Sequence, residues 1–174
     1  MKTAGVLIAI ALALALQTTL ARFLVAGTAA LDLVLVVVVY VALTTGPGTG
    51  MLAGSLAGLV QDALSSGVIG IGGLAKCIVG FLVGGIAQQF IVTGGLPRFV
   101  LFLGATALHA LIFVGLYVGL GLQTFSVSWP AIMGQAVANS VIGLIGFSIV
   151  EALPGALERR RVSKRARRSG RLRH

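Results

Sequence analysis

Residues 33–43, Leu33-Val-Leu-Val-Val-Val-Val-Tyr-Val-Ala-Leu43, decide how this chain folds. In water, a short, valine-rich and unbroken apolar run reads as a buried strand. In a bilayer the same run reads as a helix, because an open strand would leave its backbone groups unpaired in hydrocarbon. Composition shows which solvent surrounds it. Of 174 residues, 57% are apolar and only 10% are charged, with a mean hydropathy of +1.07. A soluble domain carries about 25% charged residues. Four acidic and thirteen basic side chains cannot coat a water-soluble fold of this size. Lipid is therefore the solvent, and 33–43 is the core of a helix.

Five more apolar stretches flank it. Together the six cover about 3–22, 31–45, 49–65, 72–92, 98–122 and 130–154, against the roughly 20 residues that cross the hydrocarbon. Lys2 followed by Ala4–Leu16 has the form of a signal sequence, yet the run continues through Ala21 and is long enough to span. The joints are chemically apt. Thr45-Gly-Pro-Gly-Thr49 is a turn, Ser65-Ser-Gly67 and Gly70-Ile-Gly-Gly73 break the third helix from the fourth, and Thr93-Gly-Gly-Leu-Pro-Arg98 separates the fourth from the fifth. Phe125 and Trp129 mark an interface before the sixth helix, where Pro130 suits a first turn and Pro154-Gly155 an end. The expected architecture is an all-α membrane protein. Residues 1–156 form a compact bundle of six transmembrane helices, and 157–174 a basic, disordered tail.

The net charge of +9 resides mostly in that tail. Nine of the thirteen basic residues fall between Arg159 and Arg173, including Arg159, Arg160, Arg161, Lys164, Arg165, Arg167 and Arg168. The positive-inside rule places this segment in the cytoplasm, and six crossings bring the N-terminus to the same side. Lys2 and Arg98 then lie inside as well, with only Arg22 and Lys76 outside. The tail is expected to hold anionic lipid. No aromatic residues interleave with its bases for stacking, which argues against nucleic acid.

Glycines at 46, 50, 54 and 58 recur every fourth residue, and Asp62 continues the spacing. Small residues at this interval let another helix approach closely. Gly80 and Gly84 repeat the signal in the fourth helix, and Gly115 and Gly119 in the fifth. The row Gly50, Gly54, Gly58, Asp62, Gly80 and Gly84 is thus a packing face, either within the bundle or toward a partner. A second constellation is polar. Arg22, Asp32, Asp62 and Lys76 gather at the outer ends of their helices, with Gln17 and Gln61 nearby, as a structural ion-pair cluster or a polar pocket. His109, deep in the fifth helix, reads as a hydrogen-bonded packing residue or a proton relay. Gln135 and Asn139 share a face and are expected to bond across helices. Glu151, near the inner end, is expected to meet water or a tail arginine.

No catalytic set emerges: there is no nucleophile with its base, no paired carboxylates and no phosphate loop. One cysteine, Cys77, and two histidines exclude an intramolecular disulfide and the common metal or haem spacings, so no cofactor is expected.

The stretch Gly50-Met-Leu-Ala-Gly-Ser-Leu-Ala-Gly-Leu-Val-Gln-Asp62, continuing through Ser66, Gly67 and Gly70 to Leu74, resembles the rod shape-determining protein MreD family. Gln17 and Leu31-Asp32-Leu33 leading into Tyr40 fit that family's second helix, without its usual proline. The resemblance covers about residues 10–90 through motifs and the rest through hydropathy. It implies a non-enzymatic, multi-pass component of the bacterial inner membrane, part of the elongation machinery that maintains cell shape. Implied partners are an MreC-like bitopic protein, the wall polymerase and transpeptidase of lateral peptidoglycan synthesis, and an MreB-like filament. The same helix organisation is similar to the substrate-binding subunits of energy-coupling-factor vitamin transporters. That alternative implies a small-molecule pocket bearing Asp32, Asp62, Lys76 and His109.

Overall fold

The computed structural model describes the backbone of residues 3–23, 31–65, 68–90, 92, 94–122 and 129–170, with side chains of 4–19 and of the later segments as far as residue 152. Six helices follow one another: α1 (Thr3–Phe23), α2 (Leu33–Thr45), α3 (Pro47–Leu64), α4 (Ile71–Gln89), α5 (Gly95–Gly119) and α6 (Trp129–Gly170). The helical reading of 33–43 holds, and the six expected stretches match the six helices to within a few residues at most ends.

The structure refines the expectation of six equivalent spans. Among the described residues, Ile71–Gln89, Gly95–Gly119 and Trp129–Ala152 are long and apolar enough to cross a bilayer, while Ala4–Thr19 and Leu33–Thr45 are shorter apolar helices. The thirteen residues of α2 rise about 20 Å at 1.5 Å each, short of a hydrocarbon core of about 30 Å. Its role is different. It is apolar all round, as a helix with neighbours on every side must be, and it packs against each of the other five. Val34, Val38, Val41 and Ala42 are wholly buried. Val6, Ile10, Ala53 and Ala57 pack on one flank of it, and Val79, Val83 and Phe102 on the other.

A helix that begins inside a bundle exposes unpaired N–H groups to an apolar medium. Three side chains from three helices solve this for α2. Asp32 Oδ1 accepts from the Leu35 N–H at 2.9 Å as the N-cap. Gln17 Oε1 of α1 accepts from Val34 N–H at 3.2 Å, and Asn139 Oδ1 of α6 accepts from Asp32 N–H at 3.1 Å. Asn139 thus bonds across helices as its position suggests, and its amide also reaches Thr106 Oγ1 of α5 at 3.5 Å.

The pair α3–α4 is the most closely packed in the molecule, and the glycine row is why. A Cβ on Gly50 would stand 2.6 Å from the Gly80 carbonyl oxygen, and one on Gly58 2.5 Å from Gly73 Cα. One on Gly54 would overlap the Lys76 carbonyl, and one on Gly84 would stand 2.5 Å from Pro47 Cα. Both rows are therefore consumed where α3 crosses α4. Of the two uses the spacing allows, the structure shows internal packing, with Gly50, Gly54, Gly58, Gly80 and Gly84 buried at this crossing. Gly115 and Gly119, which carry the same spacing, face open space. A glycine the spacing did not single out matters more: Gly143 of α6 leaves the slot that holds the buried Phe102 ring of α5, whose nearest carbon would be 2.6 Å from a Cβ there.

At the far end, α6 differs from its expected limit at Pro154-Gly155. Its backbone continues as helix to Gly170, through the basic segment. A proline removes one hydrogen bond, while the arginines, lysine and alanine that follow are strong helix formers. The side chains of Arg159 to Arg168 lie outside the described residues, as do Phe125 and the side chain of Arg22.

Candidate functional site

The polar residues scattered along the sequence converge at one end of the bundle, where α1, α3 and α5 finish and α2, α4 and α6 begin. Lys76 stands in the second turn of α4 and is only 2% exposed. An isolated ammonium there would be strongly disfavoured. Its Nζ lies 2.8 Å from Asp32 Oδ2 and 3.2 Å from His109 Nε2. An ammonium only donates, so this contact has an acceptor in Nε2 when Lys76 is charged. The His109 ring stacks on Phe113 at 5.9 Å between centroids. Asp32, Lys76 and His109 thus tie α2, α4 and α5 together, and Asn139 adds α6 through the Asp32 backbone.

Asp62 acts separately. It is buried at the last turn of α3, and its Oδ2 accepts from Gly70 N–H at 2.9 Å and from Gly73 N–H at 3.1 Å. The carboxylate therefore caps α4 across the α3–α4 turn, where the helix dipole favours negative charge. This explains the run Gly70-Ile-Gly-Gly73. Gly70 has φ +107°, a conformation that favours glycine. A Cβ on Gly72 would collide with Asp62 Oδ1, and Gly73 lets α4 meet Gly58.

Asp32, Asp62 and Lys76 of the expected outer cluster are thus brought to one place. They line a half-open cavity of about 290 Å³ together with His109, Gln61 and Gln135. A second cleft, of about 550 Å³ between α1 and α3, shares Gln17, Gln61 and Ser65 with it. Gln61 Oε1 is buried and has no hydrogen-bond partner among the described residues, an arrangement that costs about 1–3 kcal/mol unless something donates to it. No group of three or more metal-ligating side chains is present among the described residues.

At the opposite end, Glu151, about half exposed, pairs with Arg98; the tail arginines expected near it lie outside the residues whose side chains are described. The guanidinium donates both Nη groups, at 2.9 and 2.8 Å, and lies 3.8 Å above the Phe147 ring. This clamp closes α5 against α6. The contacts that the sequence did not signal are Lys76 to His109 and Asn139 to Thr106. Each pairs lone polar residues on different helices, so no local spacing marks them.

Fold and site define an all-helical membrane protein whose packed core is sealed by buried polar pairs and presents a polar cavity at one end. Residues 2–152 match the family described as rod shape-determining protein MreD, and the chain belongs to that family. It is accordingly a membrane protein with a role in rod shape determination, in a family of structural proteins rather than of known enzymes. No curated protein and no solved structure matches the chain.

Proposed function

We propose that this chain is a multi-pass protein of the bacterial cytoplasmic membrane, with both termini on the cytoplasmic side, that acts without catalysing a reaction itself. In this reading all six helices serve the crossing, with the short α2 carried inside the bundle. The chain binds an MreC-like bitopic protein. Through it, the chain supports the wall polymerase and transpeptidase of lateral peptidoglycan synthesis and couples them to an MreB-like filament. The basic end of α6 holds anionic lipid at the cytoplasmic face.

The observation that carries this reading is the family match across 2–152, nearly the whole bundle. The packing supports a particular form of it. With the glycine rows occupied within α3–α4, a partner helix has to use the outward apolar faces. Leu7, Ile8 and Leu12 of α1, and Val141 and Ile145 of α6, are exposed. A partner or lipid covers such faces in a membrane.

A tagged pull-down in mild detergent, read by mass spectrometry, tests the proposal. Recovery of MreC-like and wall-synthesis proteins is the expected result. Recovery of ATPase subunits with a coupling membrane subunit would replace it with the transporter reading, which the cavity bearing Asp32, Asp62, Lys76 and His109 otherwise favours.

A further inference from the structure

The cavity at the α2–α4–α6 end has a mixed lining: polar wall groups that include Asp32, Gln61, Asp62 and Lys76, and apolar wall groups that include Phe113 and Val114. Most of these polar groups are already satisfied. Asp32 is committed to Lys76 and to the start of α2, and Asp62 to the start of α4. Two buried side-chain polar atoms lack a partner among the described residues, Gln61 Oε1 and Arg98 Nε, and of these only Gln61 lines the cavity. Among the described residues, nothing donates to Gln61 Oε1.

Charge narrows the class of donor. The ionised groups on the described cavity wall are Asp32, Asp62 and Lys76. Asp32 and Lys76 cancel at 2.8 Å, which leaves the Asp62 carboxylate and a formal charge of −1. An anionic group seated directly against Asp62 would be repelled, and a neutral donor would leave the charge unmatched. A primary ammonium supplies both the positive charge and several N–H groups. The apolar wall groups suit the carbon body attached to it.

We propose that this cavity binds a primary ammonium, which donates to Gln61 Oε1 and lies beside the Asp62 carboxylate, with its carbon body against Phe113 and Val114. The same chemistry is offered by a lipid amine headgroup and by a free alkylamine. The neighbouring cleft, joined to the cavity through Gln17, Gln61 and Ser65, carries Leu14, Ala15 and Leu64 beside Thr18, and these apolar residues offer contacts to an acyl chain. This inference goes beyond the scaffold reading and does not rest on it. A failure to bind amines leaves partner co-purification untouched.

The test compares ligands that differ only in their N–H groups. The purified full chain in detergent is titrated with phosphatidylethanolamine or phosphatidylcholine of identical acyl chains, and adducts are counted by native mass spectrometry. In parallel, thermal unfolding is followed with free ethanolamine or choline. A preference of about tenfold for the primary amine over the quaternary one is expected, from hydrogen bonds to a charged donor. Gln61→Met, of similar shape, should abolish it, and Asp62→Asn should reduce it while leaving Gln61 in place. A preference seen with the lipids identifies a headgroup, and one seen only with the free bases identifies a soluble amine. Equal response to both members of each pair overturns the proposal. A preference that survives both Gln61→Met and Asp62→Asn overturns it as well.

Discussion

Lys76 of α4 and Asp32, the N-cap of α2, meet at 2.8 Å with side chains 3% and 6% exposed. The pair lies where three helices begin and links the closely packed α3–α4 unit to the buried α2. Removing one member of such a pair strands a charge that the bundle cannot solvate, a loss of about 3–5 kcal/mol, whereas removing both leaves no uncompensated charge. Lys76→Met and Asp32→Asn should each lower the detergent unfolding temperature sharply. The double variant should recover much of the loss, because its effects do not add. Additive losses in a double-mutant cycle would show that the pair does not act as a unit.

Gly54 faces the Lys76 carbonyl with no room for a Cβ. Gly54→Ala should therefore destabilise by about 1–3 kcal/mol or more, by forcing α3 from α4. Gly115→Ala faces open space and should leave stability unchanged or slightly raised. Thermal unfolding and size-exclusion profiles of the two variants distinguish an internal helix crossing from an external face. An unaffected monomer that has lost only partner binding would restore the outward reading of the glycine row.

Asp62 accepts two backbone N–H groups at the head of α4. Asp62→Ala should cost about 0.5–2 kcal/mol, the usual range for a lost N-cap. Hydrogen exchange should quicken at Gly73 while the middle of α4 stays protected. Uniform quickening along α4 would mean that the carboxylate does more than cap it.

The proposed topology is tested by C-terminal fusions. A fluorescent protein fused after residue 174 should fold and emit, and alkaline phosphatase fused there should stay inactive. The same phosphatase fused between α3 and α4 should be active. The reverse pattern would invert the bundle.

Much of this fold was legible because its signals are local. Continuous apolar runs such as 33–43 identify helices once composition identifies the solvent, and Gly46-Pro47-Gly48 or Gly94-Gly95-Leu96-Pro97 place the turns. The four-residue glycine spacing identified a close helix approach, but not which helix approaches. That depends on the α3–α4 turn returning the chain onto itself. The site was half legible. Asp32, Asp62 and Lys76 could be brought to one end by counting helix crossings. Their division of labour could not, since Asp62 serves backbone N–H groups alone while Asp32 both caps α2 and holds the Lys76 side chain. The spacing of Asp62 from Gly70-Ile-Gly-Gly73 was the available sign of a cap across the turn. His109 carried no sign of Lys76, because contacts between helices α4 and α5 have no sequence period of their own. The length of α6 was also misjudged, since Pro154 reads locally as a stop while the residues beyond it favour helix.

The central claim, that this chain sustains rod shape from within the membrane, is tested most directly by depleting it from the cell that makes it and following width and length by microscopy. The account predicts that cells widen and round as the chain is lost, and that the wild-type chain restores rods where Gly54→Leu does not. Depleted cells that keep their width and length through several divisions would contradict it.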